Sequence, residues 1–342
     1  MVIVSESTWR AQCPKVFVIT LNWNGREWLG DCLRSVLDMD YPNFEVVVVD
    51  NGSTDGSVEF LHRTFPVQVV ETGSNLGYAR GLNVGLEYAA GRGAEYFLVM
   101  NNDTVIEKGA LTALVETALT CIRAGFVTGK VYFHSQPDVL QTVGKEEDPI
   151  RWNGRHIGWR ERDVGQYDEV AERIFVDDVV TLVDRRVYDE VGGYDPQFFV
   201  QAAEFDWQAR AKKEYWRSYY TPKARLWHRV SMTMGGLGNP IGRYFDAQAE
   251  MVVLAQHFNR RRFLRYLAYS GAHVLNTFLR GLVQFNWRKL KPRLALLLGY
   301  VGGTLWLIHR RPATQVPWVI RALSSHHRLP HILQPRPEND GA

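Results

Sequence analysis

Three absences narrow this sequence before any motif is read. Only three cysteines occur, Cys13, Cys32 and Cys121, with no Cys-x-x-Cys pair among them. That pattern suits a reducing compartment and argues against a disulfide framework or a thiolate metal centre. The loop after the first expected strand lacks Gly-x-Gly-x-x-Gly, and Gly-x-x-x-x-Gly-Lys-Ser/Thr occurs nowhere, so neither a dinucleotide fold nor a phosphate-loop ATPase is supported. The first fifteen residues hold no long apolar run, so secretion is not expected. A further absence is of one charge sign: Met251 to Pro337 contains no Asp or Glu but fourteen Lys and Arg. Against a chain total of +3, the remainder carries −11, an acidic body with a basic tail.

What is present describes a folded protein. The 342 residues are 46% hydrophobic and 12% aromatic, enough for one large domain and an appendage. Lys15 to Leu21 reads as a strand leading into the turn Asn22-Trp23-Asn24-Gly25, and Trp28, Leu29, Cys32, Leu33, Val36 and Leu37 then recur at helical spacing. A second apolar strand, Phe44 to Val49, opens onto Asp50-Asn51-Gly52-Ser53, where Thr54 or Asp55 can cap the next helix. A third strand, Val67 to Glu71, leads through Asn75-Leu76-Gly77-Tyr78-Ala79-Arg80 into a helix reaching about Ala90. A fourth, Tyr96 to Met100, ends in Asn101-Asn102-Asp103, with a helix expected over Gly109 to Arg123. Four such repeats predict an α/β fold, a parallel sheet with helices on both faces and ligands at its carboxyl edge. Two strands that each deliver a carboxylate there, Asp50 and Asp103, suit a polar ligand with a metal or a sugar.

Residues 126–184 read as further strands around a polar loop, Lys145 to Ala171, long enough to serve as a lid. A second informative block runs from Gly192 to Met234. Its Glu204 and Asp206 open a helix to about Lys213, where the macrodipole favours carboxylates in any case. Two strands, Trp216 to Tyr220 and Ala224 to His228, are expected to follow.

Taken in order, Leu21–Gly25, Val49–Ser57, Asn75–Ala79, Asn101–Asp103, Gly192–Asp195, Glu204–Asp206 and Trp227–His228 resemble an inverting family 2 (GT-A) glycosyltransferase of the rhamnosyltransferase-like branch. The resemblance spans about residues 15 to 260. It implies a nucleotide-sugar site formed by Asn24, Asp50, Asn75, Arg80, Asn101 and Asn102. It places Asp103 and His228 on a Mn²⁺ or Mg²⁺ ion that neutralises the leaving diphosphate. The first acid of the usual metal-binding triplet is Asn101 here, which leaves Asp103 as the carboxylate. Aligned through Phe198-Phe199, the family's acidic pair falls on Ala203-Glu204. Glu204 is then the expected base for the acceptor hydroxyl, with Asp206 second.

The resemblance implies a GT-A catalytic domain over residues 1–257, acting on an NDP-sugar, with dTDP-rhamnose favoured and a UDP-sugar open. The acceptor would be a saccharide or lipid-linked saccharide in cell-surface polysaccharide or glycan synthesis. Residues 258–342 form the basic helical tail. Its apolar run Leu294 to Ile308 is shorter than the roughly 20 residues that span a bilayer, so interfacial binding to anionic lipid fits better. That placement makes the protein cytoplasmic and peripheral at the inner face of the cell membrane. Packing on the body and a homo-oligomer contact through the helices are the other uses of the tail, and no nucleic-acid reading motif is present. Two other classes stay open: a degenerate nucleotide- or glycan-binding homologue, motivated by Asn101 and Ala203, and a membrane scaffold.

Overall fold

The computed structural model describes residues 13–148, 154–229, 240–284 and 287–309. The basic residues from Arg310 onward and the Ser231–Met234 end of the second informative block lie outside these ranges. The chain divides into two compact units, one from Met1–Asp148, Asn153–Asp195 and Glu204–Val230, the other from Pro149–Trp152, Pro196–Ala203 and Ser231–Ala342.

The first unit is built on a ten-stranded sheet. Its central strand is β1 (Val16–Asn22), flanked in parallel by β2 (Phe44–Asp50) and β4 (Tyr96–Asn101), with β3 (Gln68–Glu71) outside β2. All seven residues of β1 except Leu21 are buried, as a strand covered on both faces requires. On one face, α1 (Arg26–Leu37) and α4 (Ala110–Thr120) bury Leu29, Leu33, Leu111 and Leu114 against Val16, Val18, Val48 and Leu98. Each such leucine contributes about 1.5–3 kcal/mol. On the other face lies α3 (Tyr78–Ala90). A Cβ at Gly85 would stand 2.5 Å from Ile19 Cγ2, and one at Gly81 would stand 2.6 Å from Leu21 Cδ1, so these glycines let α3 lie directly on β1. The short α2 (Ser57–Thr64) follows β2. Asp55 Oδ1, rather than Thr54, accepts the Ser57 N–H at its start.

The four strand–helix repeats are those expected, and β1 has parallel neighbours on both sides. The crevice beyond its carboxyl end is therefore the topological switch point where open α/β sheets bind ligands. Beyond β4 the sheet departs from the expected all-parallel form and becomes mixed. From β6 (Ala124–Phe133) the chain turns back directly into β7 (Gln136–Thr142) with no crossover helix, and β11 (Val180–Asp184) inserts antiparallel to both β4 and β6. The strands expected at 216–220 and 224–228 are one strand, β12 (Arg217–His228), parallel to β6 with a bulge between Tyr220 and Arg225. Pro222, which cannot donate to a ladder, sits in that bulge. The short β5 (Thr104–Ile106) and β10 (Ala171–Arg173) pair with β12. The helices α5 (Arg185–Val191) and α6 (Ala203–Lys213) follow β11.

The segment anticipated as a lid is tied down over its described part. β8 (Lys145–Glu146) pairs with β9 (Arg155–His156), and Leu140 N–H donates to Glu161 O at 2.8 Å. The buried Lys130 ammonium bridges Asp163 at 2.8 Å and Asp168 at 2.6 Å. Burying the ammonium costs desolvation that the two carboxylates offset, and together they fix the loop on β6.

In the second unit the tail is helical, as expected: α7 (Pro240–His257), α8 (Arg260–Gln284) and α9 (Trp287–His309). The glycines of α9 allow backbone-close packing on α7: a Cβ at Gly299 would overlap Tyr244 O, and one at Gly303 would stand 2.8 Å from Met251 Cβ. The outward residues Leu297, Val301, Leu305 and Ile308 are 40–66% exposed and recur at helical spacing along one face. No helix among the described residues is long and apolar enough to cross a membrane.

Candidate active site

The carboxyl edge of the sheet is organised by Asn22, the last residue of β1, which is fully buried. Its Nδ2 donates to Asp50 Oδ2 at 3.0 Å and to Ser53 Oγ at 3.1 Å, while its Oδ1 accepts from Asn102 Nδ2 at 2.9 Å. One carboxamide thus ties the ends of β2 and β4 to β1. Asp50 also accepts from Ser53 N at 2.8 Å, Ser53 Oγ accepts from Asn24 N at 2.9 Å, and Asn24 Oδ1 accepts from Thr54 N at 2.8 Å. Gly25 completes this floor, since a Cβ there would overlap Asn102 Nδ2 and lie 2.7 Å from Asn22 Oδ1.

Asn51 does the same work one residue along. Its Nδ2 donates to Asn75 Oδ1 at 3.1 Å and Gly77 O at 3.2 Å, and its Oδ1 accepts from Leu76 N at 2.9 Å. This sets the turn that starts α3, where Gly77 adopts φ +85° and Arg80 is exposed in the first turn. The structure therefore gathers Asn24, Asp50, Asn75 and Asn102 into one hydrogen-bonded edge. Asn22 and Asn51, which hold that edge together, appeared in the sequence only as motif letters.

A second pole forms where β4 turns into β5. Thr104 pairs with His228 across β5 and β12, and Arg229 N donates to Asp103 O at 3.1 Å. Asp103 Oδ1 stands 3.2 Å from His228 Nε2, and both residues are buried. His228 Nδ1 lies 2.9 Å from Gln141 Oε1, an acceptor to which Nδ1–H donates, and this orients the ring. Nε2 therefore faces the Asp103 carboxylate, and a cation seated there would draw on both atoms. An oxygen and an imidazole nitrogen with a hydrogen-bonded outer shell suit Mn²⁺, and suit all-oxygen Mg²⁺ less well. Among the described residues no group of three or more His, Cys, Asp or Glu side chains converges on a metal position. Asp103 and His228 are thus two side chains that could hold a metal ion, with the remaining positions open to substrate or water. Cys32 is not a third: burial, reinforced by the Asp103 charge, pushes its thiol up to about 12.

Arg229 was missed at the sequence level. Its Nη2 donates to Asp31 at 2.8 Å, while Nη1 is buried with no hydrogen-bond partner, on the residue adjoining His228. The Arg34 and Arg229 guanidiniums hold the Asp31 carboxyl below its usual range. A buried, unpaired guanidinium N–H beside a metal-type pair is a donor prepared for an anion.

The third cluster surrounds the first turn of α6. Asp206 is buried and bonded to Arg210 Nε at 2.8 Å, and Arg210 also donates to Val191 O and, at 2.6 Å, to Gly193 O. Glu204 is half-buried. One turn along, Gln208 clamps the backbone of Val176 on both sides at 2.9 and 2.8 Å, which brings Asp177 and Asp178 alongside. Burial, then the charge of Glu204, raises the Asp178 carboxyl well above the usual range, and its Oδ2 accepts from Tyr194 Oη at 2.5 Å. Burial opposes ionisation of Asp177 as well, but Lys145 at 2.7 Å and His156 at 3.3 Å hold it well below the carboxylate range. Tyr78 opens α3, and its hydroxyl is raised by burial and by the charges of Asp178, Glu204 and Asp103 together. The Glu204 and Asp103 clusters thus both act electrostatically on one side chain.

Poly-beta-1,6-N-acetyl-D-glucosamine synthase of Staphylococcus epidermidis is 26% identical over 234 residues, which cover 68% of this chain and 54% of that protein. The chain spans about half the length of such curated relatives, and this one is named for a polysaccharide synthase, not a rhamnosyltransferase. Among solved structures, GalNAc-T7 with UDP, GalNAc and Mn²⁺ superposes with a TM-score of 0.56 at 14% identity, covering 71% of this chain and 48% of that one. The mannosyltransferase PcManGT of Pyrobaculum calidifontis, with GDP-Man and Mn²⁺, superposes at 0.52 and 18% identity, covering 87% and 88%. These likenesses give the fold as GT-A-like. The Glycosyl transferase family 2 description matches residues 16–192, from β1 through α5, which takes in the Asn22-centred edge and Asp103 and stops short of Glu204 and His228. That match covers more than half of the sequence: the chain belongs to glycosyl transferase family 2, the inverting nucleotide-sugar-dependent enzymes.

Proposed function

We propose that this enzyme transfers a sugar from an NDP-sugar to a saccharide or lipid-linked saccharide, with Glu204 as base and Asp103 and His228 as metal ligands. The observation that carries this reading is the buried Asp103–His228 pair, 3.2 Å apart beside the hydrogen-bonded carboxyl edge of the sheet. The nucleotide lies along the edge formed by Asn24, Asp50 and Asn75, with Arg80, Asn101 and Asn102 toward the diphosphate and sugar. Mn²⁺ bound at Asp103 and His228 would neutralise the diphosphate as it leaves. Arg229 Nη1 donates to the same diphosphate. Glu204 accepts the acceptor hydroxyl's proton while that oxygen attacks the anomeric carbon from the side opposite the leaving group, which inverts the configuration. Asp206, bonded to Arg210, orients the helix that carries Glu204.

For the donor, dTDP-rhamnose follows from the motif resemblance, and a UDP-N-acetylhexosamine follows from the name of the staphylococcal relative. Calorimetry with dTDP, UDP and GDP, each with and without Mn²⁺, separates them: tight Mn²⁺-dependent binding of one nucleotide is expected. A folded protein that binds none would overturn the donor assignment.

The reading extends to an anionic membrane surface at the cytoplasmic face. The stripe Leu297, Val301, Leu305 and Ile308 is exposed on a helix from a region without acidic residues. Co-sedimentation with phosphatidylglycerol vesicles is expected for the full chain and lost in Val301→Glu/Leu305→Glu. Dimerisation without vesicle binding would assign the stripe to a second copy instead.

A further inference from the structure

Trp159 has no part in the transfer chemistry above, yet it is a large aromatic left 37% exposed on a pinned backbone. Its neighbours are fixed by Arg160 N–H to Leu140 O at 2.9 Å and Ile157 N–H to Gly144 O at 3.0 Å. Two rings hold the indole. Phe133 meets it edge-on at 5.3 Å and 71°, and His156 lies tilted at 5.5 Å and 34°. Each ring leads to a different pole of the site. Phe133 is the register partner of His228 in the parallel β6–β12 pair, so both side chains leave the same sheet face. His156 contacts Asp177, which adjoins Val176, the residue whose backbone is clamped by Gln208 one turn after Glu204. The indole is thus linked through Phe133 to the strand position of His228 and through His156 to Asp177, the two sides between which the proposed reaction would place an acceptor.

We propose that Trp159 is an acceptor subsite that stacks a pyranose ring of a glycan chain; this rests on the glycosyl-transfer reading. A pyranose with equatorial substituents has an apolar C–H face that suits an indole and a hydroxylated rim that suits the Lys145, His156 and Asp177 groups beside it. A β-linked gluco-configured chain presents that face at each residue. The shelf therefore selects the acceptor and leaves donor binding alone.

Saturation-transfer NMR and titration of the full chain with cellotriose and chitotriose test this, in parallel with UDP and Mn²⁺ calorimetry. Trisaccharide binding is expected for the wild type. Trp159→Ala should weaken it at least about fivefold, the loss of one stacking partner, with Trp159→Phe in between and nucleotide binding unchanged. Tyr215→Ala, which removes another exposed aromatic, serves as the control. In transfer assays the Trp159→Ala defect should appear in the acceptor KM and not in kcat. Wild-type binding of neither trisaccharide, or equal binding by Trp159→Ala, overturns the shelf. Trp159-dependent trisaccharide binding without any nucleotide binding upholds the shelf and overturns the donor reading.

Discussion

Arg210 bonds Asp206 at 2.8 Å and ties it to the backbone before α6, which sets it apart from Glu204, the other carboxylate opening that helix, whose charge helps to raise Asp178. The two should separate in experiment. Glu204→Gln is expected to keep its melting temperature and nucleotide binding but lose transfer by about a hundredfold or more. Asp206→Ala leaves the Arg210 charge unpaired and should cost about 3–5 kcal/mol in denaturant unfolding. Retained transfer in Glu204→Gln would move the base elsewhere.

The Gln141–His228 contact gives a second prediction. Gln141→Leu removes the acceptor that sets the imidazole tautomer without touching either proposed metal ligand. Mn²⁺-dependent nucleotide binding should weaken about 10–100-fold, and Asp103→Ala should abolish it. Calorimetry at fixed nucleotide and varied Mn²⁺ reads both; an unaltered Mn²⁺ dependence in Gln141→Leu would show that the tautomer is immaterial.

Gly25 is tested by one methyl. Gly25→Ala drives a carbon into the Asn22–Asn102 hydrogen bond. Its effect should fall on nucleotide affinity and on stability, the latter by about 1–3 kcal/mol as overpacking. Wild-type values of both would show that the edge yields freely.

Asp178 makes a pH prediction of unusual sign. Its carboxyl is raised in the folded protein and sits near 3.9 when unfolded, so the native state holds the extra proton. The associated stability is complete below about pH 4 and is lost as pH rises through the folded value. Asp177, Asp31 and Asp163, all lowered, act oppositely and lose stability toward acid. The stability difference between wild type and Asp178→Asn, followed by thermal melts across pH 4 to 9, isolates the first effect. It should fall steadily with pH, and a flat difference would mean that Asp178 is ionised.

Much of this architecture is legible in the residues, and what is not has a physical reason. The run Val46–Val49 and the helical spacing of Trp28 to Val36 announce a doubly covered parallel sheet, because each pattern reports burial along a single element. The antiparallel insertion of β11 was invisible, since strand direction depends on how the chain returns rather than on its composition. Asp50 and Asp103 were readable as strand-end carboxylates. Asn22 was not singled out, because its role depends on partners 28 and 80 residues away. Arg229 looked like one more surface charge, and only its buried, unpartnered Nη1 marks it. The 145–171 loop read as mobile from polarity alone; the buried Lys130 that anchors it belongs to a different strand.

Asn22 has an evolutionary consequence. One amide side chain reports on the strand that would meet the base and on the strand that turns toward the cation, so neither end can be retuned alone. A substitution that reshapes nucleotide choice at Asp50 shifts the hydrogen bond that positions Asn102, and through that turn the carboxylate at Asp103. Under the proposed assignment, donor preference and metal affinity would be inherited as one trait in this scaffold, and variants selected for a new nucleotide should carry altered metal dependence without having been selected for it.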